Sequence, residues 1–465
     1  MKKYIVYIML LTGWCCMSCD SYLETKDYGQ VSPETTEDYA SLINMWMEHI
    51  ETKTSKNPPT YMYQDVLRME CFSDNLNASL STTTQKTYMP MYVGEYMGSL
   101  IYRFEAQYKF IRDANIVLDN MKDDGSELWD KTVAVAYALR GITYFTLLRE
   151  FCEPYDAGRA TEIMGVPIVD HFDMEAAPDR GNIQETVDFV VSDLKKAVSM
   201  NMTDKTYPLT SDVAEAFLAR AYFWGQEWNN AIETAKSVLD KYPLAEGEEY
   251  KNMIQSKPKF TELPAEVIFS SYTQGSSTGT FENCYSKYSQ YRPLDLKLIT
   301  QFREKERDIR YNLFFNKEYL NTKRLNGFVR SSEMCLIIAE SYAHLGDEIN
   351  ALHYLNMLRE KRIRDYEPLT MNTLPQENEC GLITVDAEGK PLTPLMAAIL
   401  NERRKELYME ADRWLELKRN GRPEFWVGYN GIKYETKKYL YTYPLRNNDL
   451  IANPDLEQNE GYDEL

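Results

Sequence analysis

The chain has 465 residues, 44% hydrophobic and 26% charged, enough apolar material for a sizeable core in one large domain or several smaller ones. Its 52 Lys and Arg face 71 Asp and Glu, a formal net charge of −19, which argues against nucleic acid or an anionic membrane surface as the main partner. Tyr is abundant at 35 residues, and an apolar ring with a hydroxyl suits wet recognition surfaces and helix packing alike.

At the N-terminus, Lys2 and Lys3 precede an apolar run, Tyr4–Leu11, followed by small residues and cysteines. This reads as a secretory signal peptide, because the run is too short to span a bilayer. Ser18 before Cys19 and the polar DSYLETKD after it place cleavage ahead of Cys19, so that residues 1–18 are the signal and Cys19 carries lipid. Cleavage by an ordinary signal peptidase, with release as a soluble protein, is the alternative; Cys16 stands where a bacterial lipobox usually has Leu. No other segment approaches the length of a transmembrane helix. Cys71, Cys152, Cys284, Cys335 and Cys380 remain, an odd number at wide spacing with no C-x-x-C, which predicts buried thiols rather than a disulfide framework. The four His show no H-E-x-x-H and no Cys/His zinc spacing, and KDDGSE (122–127) is too short a match to an EF-hand loop to count, so no metal or other cofactor is expected.

Helical periodicity dominates the chain beyond the leader. Helix pairs fit 101–121 with 131–151, then 183–200. Within 211–243, Ala214, Phe217, Leu218, Ala221 and Tyr222 form one apolar stripe, and Ala231, Ala235, Val238 and Leu239 form a second after a short turn. Leu218, Ala219, Tyr222, Ala231 and Pro243 fall at tetratricopeptide spacings, with Trp228 near the turn. The stretch 332–362 repeats the logic with Ile338, Ala339, Tyr342, Gly346 and Ala351. Between these units lie polar, Tyr/Pro/Gly/Ser-rich stretches, 51–98, 152–182, 243–292 and 366–394, with EVIFSSY (266–272) as a short strand. Loops of that length usually carry function or are disordered. The fold class expected is mostly α, a tetratricopeptide-like helical bundle packed against a loop-rich region with a few short strands.

The stretch ILNERRKELYMEADRW (399–414) first suggests chemistry, because Glu402, Glu406 and Glu410 are four apart. On one helix such carboxylates lie about 5–6 Å apart, near the separation in a retaining glycosidase. Neighbours on one helix nevertheless point the same way and leave no room for a sugar between them. An ion-paired structural helix is the better reading. Leu400, Leu407, Ala411, Trp414 and Leu415 line its apolar stripe, with Glu402–Lys405 and Glu410–Arg413 paired at i,i+3. At least one of Arg403 and Arg404 turns inward, which a buried charge tolerates only when paired.

In order along the chain, YKFIRDANIVLDNM (108–121), YALRGITYFTLLREF (137–151), GVPIV (165–169), IQETVDFVVSDLKKAV (183–198), the two repeats and ERDIR (306–310) resemble the SusD/RagB family of Bacteroidetes lipoproteins. Most specific is the end, ERRKELYMEADRWLELKRNG (402–421) and YPLRNNDLIANPDLEQNEGY (443–462). Asp449 stands where the family often has Glu, Glu460 where Pro is common, and Ala411 and Cys152 where glycines are usual. The resemblance implies one SusD-like domain over 19–465, with an N-terminal helical part (19–245) and a loop-rich C-terminal part carrying a further helix pair (246–465). It also implies a surface-exposed, lipid-anchored outer-membrane protein that pairs with a SusC-like TonB-dependent barrel. There it acts as a lid that captures oligosaccharide, or in some members peptide, and hands it on without catalysis. A secreted glycoside hydrolase, with Glu402 and Glu406 as its acids, and a tetratricopeptide scaffold for protein partners are the readings it competes with.

Sugar binding without chemistry needs aromatic faces and a few amide or carboxylate groups. Two loop stretches offer them. The first, 57–97, carries Tyr61, Tyr63, Asp74, Asn75, Tyr88, Tyr92 and Tyr96; the second, 270–293, carries Tyr272, Phe281, Asn283, Tyr285, Tyr288 and Tyr291. The family tends to place its ligand site on loops from these two regions, and FSDN (72–75) resembles a recurring segment there. Tyr285, Tyr288 and Tyr291 are also spaced for a short packed helix.

Overall fold

The computed structural model describes residues 33–462 apart from 53–59, 62, 78, 80–102, 174, 176, 256–261, 271–291, 325–326, 376–380 and 430–431. Its first half holds α1 (Thr36–Thr52), α2 (Tyr63–Phe72) and a row of helices, α3 (Arg103–Asn120), α4 (Glu127–Phe151), α5 (Ile183–Ser199), α6 (Ser211–Trp224) and α7 (Trp228–Lys241). Helices α3 to α7 each pack on the next, and α1 covers α3 and α4. After α8 (Gly247–Gln255), strand β1 (Val267–Ser270), α9 (Leu296–Ile299), α10 (Ile309–Phe314) and strand β2 (Phe328–Arg330), the row resumes. There α11 (Ser331–His344) packs on α7 and α12 (Glu348–Arg362) packs on α11. The two sequence repeats are thus spatial neighbours, although a long loop-rich insertion separates them. This is the tetratricopeptide-like bundle against a loop-rich remainder that the periodicity predicts.

Local chemistry fixes the helix ends. Ser126 and Thr210 cap α4 and α6 by accepting from Trp129 N–H and Val213 N–H, and Asn182 with Glu185 forms a capping box on α5. Gly141 lets α4 and α5 touch, because a Cβ there would sit 2.9 Å from Leu194 Cγ. Ala214, Phe217, Ala221 and Tyr222 are buried with Ala231, Ala235 and Val238 in one continuous core. Cys71, Cys152 and Cys335 are buried and in no disulfide, and Cys284 and Cys380 lie outside the described residues. None of the described helices is long and apolar enough to cross a membrane.

The chain closes with α13 (Pro394–Glu406), α14 (Asp412–Arg419), an antiparallel hairpin of β3 (Phe425–Tyr429) and β4 (Ile432–Thr436), and α15 (Asn447–Ala452). Here the structure corrects the sequence reading. The helix expected across 399–414 stops at Glu406; Met409 and Ala411 adopt left-handed backbone, φ 60° and 64°, and α14 starts afresh at Asp412. Leu400, Leu407, Ala411, Trp414 and Leu415 are all buried, but from two helices and the turn between them. The Glu402–Lys405 pair forms at 2.9 Å. Glu410 and Arg413 do not pair: Glu410 takes Lys323 at 2.5 Å and Arg330 at 2.9 Å, and Arg413 takes Asp74 and Glu416, both at 2.7 Å. The physical reason is tertiary. Arg330 binds the Glu406 carbonyl (2.6 Å) and Met409 N–H is given to Glu70 (2.9 Å), so the backbone groups that would continue the helix are taken by other segments.

Candidate functional site

The carboxylates that first suggested catalysis are locked. Glu406 is fully buried and meets Arg310, Arg330 and Arg362 at 2.9, 2.5 and 3.0 Å. Burial pushes its carboxyl up, but the three guanidinium groups outweigh burial and hold it well below the usual carboxylate range. Glu402 is held the same way, by Arg310 (2.6 Å), Arg359 (2.6 Å) and Lys405. Both are buried among these cations rather than open to a cleft. They pin α13 to α10, β2 and α12.

That clamp extends into FSDN (72–75). Asp74 accepts Arg413 Nε and Nη2 at 2.7 and 2.9 Å and lies 3.3 Å from Arg404. Asn75, fully buried, donates to Glu70 (2.9 Å) and accepts from Arg404 Nε (2.8 Å). Burial lifts the Glu70 carboxyl to about 7, only partly offset by the Asn75 and Met409 donors. Gly381 seals the turn: with φ +70° it brings its backbone so close that a Cβ would lie 2.8 Å from Asp74 Oδ2.

Just beyond, described residues in or flanking the two loop stretches are joined. Leu76 and Leu294 form an antiparallel bridge, with Asn77 N–H donating to Pro293 O and Asp295 N–H to Asn75 O, both at 2.8 Å. The bridge, itself buried, marks one point where residues of the first stretch and of the chain just after the second lie side by side. Beside that point lies a groove of about 360 Å³, within the range of small-molecule sites. Leu76, Leu382, Phe425 and Val427 supply apolar walls, and Ser73, Asn77, Ser79 and Asp295 supply polar ones. The polar groups are pre-oriented: Asp295 caps α9 through Lys297 N–H (2.8 Å) and accepts Asn77 Nδ2 (3.4 Å), while Asn77 Oδ1 accepts Ser79 Oγ (2.6 Å). Trp426 on β3 borders the groove with 62% of its surface exposed, and Lys433 Nζ lies 5.6 Å from its ring centre. An apolar wall, a pre-set polar rim and an open indole face can grip a ring that is apolar on one side and hydroxylated at its edge.

Of the residues expected to bind ligand, Asp74 borders the groove, Asn75 lies beneath it in the arginine clamp, and Tyr61 is buried elsewhere, its ring 5.2 Å from Arg149 Cζ and 5.5 Å from Arg103 Cζ. Tyr63 is the first residue of α2. Tyr88, Tyr92, Tyr272, Asn283, Tyr285, Tyr288 and Tyr291 lie outside the described residues, as does Cys19. Trp426 escaped the sequence reading, although a signal exists: Asn430-Gly431 between two alternating runs is a two-residue hairpin signature. Among the described residues no cluster of His, Cys, Asp and Glu is placed to hold a metal ion.

Comparison with known proteins places the chain in a family. A family model described as "Starch-binding associating with outer membrane" matches residues 21–223 and one described as "SusD family" matches residues 303–462, together more than half of the chain. SusD-like protein P38 of Formosa agariphila is 21% identical over 99% of this chain and its own whole length. A putative sugar binding protein from Bacteroides vulgatus superposes with TM-score 0.68 at 22% identity, covering 93% of this chain and all of that one. A SusD-like carbohydrate binding protein from the same species does so with TM-score 0.65 at 18% identity, covering 91% and 98%. At such identities the likeness to these structures speaks to the fold alone.

Proposed function

The chain belongs to the SusD/RagB family, and from that premise we propose that it is a non-catalytic glycan-binding lipoprotein of the outer membrane. In this reading residues 1–18 are a signal, Cys19 is acylated, and 19–465 fold as one SusD-like domain. The domain captures oligosaccharide at the cell surface and, as a lid, delivers it to a SusC-like TonB-dependent barrel. One observation supports the ligand site: the bridge between Leu76 of the first stretch and Leu294, just after the second, lies beside the groove that Trp426 borders. Trp426 and Asp74 then serve the ligand beside Tyr63, Tyr88, Tyr92, Tyr272, Asn283, Tyr285, Tyr288 and Tyr291. Tyr61 and Asn75, buried in the frame, set the course of the first stretch. The non-catalytic assignment rests on Glu402 and Glu406, whose carboxylates are committed to buried arginines and unavailable for acid/base work.

The test is a calorimetric panel of oligosaccharides and peptides against the chain without its leader, with each glycan analysed afterwards. Saturable binding of a glycan that is recovered intact is expected. Cleavage of a glycan, abolished by Glu402→Gln, overturns the non-catalytic reading, and binding of peptides alone moves the assignment to a peptide-capturing member. Native membranes solubilised in mild detergent are expected to yield the chain together with a large β-barrel; a monomer free of any barrel contradicts the transporter partnership.

A further inference from the structure

Arg149, in the last turn of α4, is a buried charge with no carboxylate in contact among the described residues. It is 9% exposed, its Nε has no hydrogen-bond partner, and among the described residues its side chain is ion-paired to none. Other buried arginines set the contrast: Arg103, Arg140, Arg310, Arg330 and Arg413 each meet a carboxylate within 3.0 Å, and Arg180 gives its N–H groups to Gly165, Glu457, Asn459 and Phe151 oxygens. Arg149 Cζ instead lies 4.2 Å from the Phe145 ring centre and 5.2 Å from that of Tyr61, contacts that attract a cation but accept no N–H in its plane. Burial, with Arg220 nearby, lowers its guanidinium from the ordinary value, and Tyr61, Glu333 and Glu150 offset this only in part. A lone buried charge is costly unless something pairs with it.

Arg149 borders a cavity of about 40 Å³. A water molecule needs roughly 10–15 Å³ of such space, so the cavity holds a few waters or one small ion and excludes a sugar ring. Thr60, on the same wall, is 7% exposed, and its Oγ1 also lacks a partner. The acids of the wall are already matched: Glu333 by Arg220 and Arg403, Glu410 by Lys323 and Arg330, Asp412 by Arg403. What remains is one positive charge and one hydroxyl donor, both facing a small void.

We propose that this cavity binds a single small monovalent anion, of the size of a halide or formate, held by Arg149 with Thr60. Occupancy ties the segment leading into α2 to α4 at the heart of the bundle. The site is separate from the Trp426 groove and independent of any glycan.

Bromide is the probe. Crystals of the leaderless chain grown in sodium bromide are expected to give an anomalous peak beside the Arg149 guanidinium. In solution, bromide or formate added at constant ionic strength against gluconate is expected to raise the unfolding midpoint saturably, by a few degrees. Arg149→Gln abolishes that rise; should it not fold, Thr60→Val, which removes the hydroxyl at similar volume, is expected to weaken it. A cavity empty of bromide, or a midpoint response that the folded variant leaves unchanged, overturns the proposal.

Discussion

Replacing Glu406 by Gln removes one negative charge from the centre of a buried network and leaves its shape nearly intact. Around it Glu266, Glu304, Asp308, Glu402 and Glu410 face Arg310, Lys323, Arg330, Arg359, Arg362 and Lys405, so that with Glu406 there is one acid for each base. After the change three guanidinium groups lose their shared partner. None is stranded: Arg310 keeps Asp308 (2.7 Å) and Glu402 (2.6 Å), Arg330 keeps Glu266 (2.7 Å) and Glu410 (2.9 Å), and Arg362 keeps Glu266 (3.0 Å). The loss is therefore that of one uncompensated buried charge, about 3–5 kcal/mol, rather than three times that. Against a typical total of about 5–15 kcal/mol this is a large fraction. Urea unfolding followed by circular dichroism reads it as a lower midpoint at unchanged slope. Glu105→Gln is the control, since the Glu105–Lys109 pair lies on the surface and its loss is expected to move the midpoint little. A Glu406→Gln protein within about 1 kcal/mol of wild type refutes the view that this network holds the C-terminal segment to the bundle.

Three further outcomes are expected from the same geometry. Burial pushes Glu340 up, yet Arg419 and His344 bring it down to about 2 from an ordinary 4.5; its folded pKa lies below the unfolded one, so its stabilisation, about 3 kcal/mol, is complete above about pH 4.5 and is lost as pH falls through about 2. Glu340→Gln is expected to flatten that stretch of the stability–pH curve, and an unaltered acid slope contradicts the assignment. At Ala411, whose φ is 64°, Gly is expected to leave the midpoint within about 1 kcal/mol and Val to lower it by about 2–3 kcal/mol, because a β-branched residue fits left-handed backbone poorly; a helix running through 399–414 would reverse that order. Cys19→Ala is expected to shift the chain from the outer-membrane fraction to the soluble one on fractionation, and retention in the membrane counts against lipid anchoring.

The helical frame is legible in the sequence because its physics is local. Apolar residues at helical spacing, with small residues such as Ala219 and Ala339 where helices approach, are enough to place α6, α7, α11 and α12. The break at 407–411 is not legible there. No Gly or Pro marks it, and the stretch keeps a helical period on both sides; the helix ends because Arg330 and Glu70, far away in sequence, take its backbone groups. The same distance effect misassigned Glu410 and Arg413, which pair with Lys323, Arg330 and Asp74 rather than with each other. Asp74 and Asn75 look from composition like free hydrogen-bonding groups, and only the fold shows that Arg404, Arg413 and Glu70 already hold them. Trp426 was legible as part of a hairpin but not as a ligand surface, because its neighbour across the groove, the Leu76–Leu294 bridge, joins segments more than two hundred residues apart in the chain.

The most direct test of glycan capture at the Trp426 groove is calorimetric titration of a bound oligosaccharide into the wild-type chain and into Trp426→Ala. Trp426 is an exposed side chain, so its loss should leave the unfolding midpoint nearly unchanged. Affinity is expected to weaken by roughly 3- to 10-fold, the equivalent of about 0.5–1.5 kcal/mol of aromatic contact, with the sugar unaltered at the end of the titration. Undiminished affinity in a fully folded Trp426→Ala protein would contradict that placement and put the ligand away from this groove.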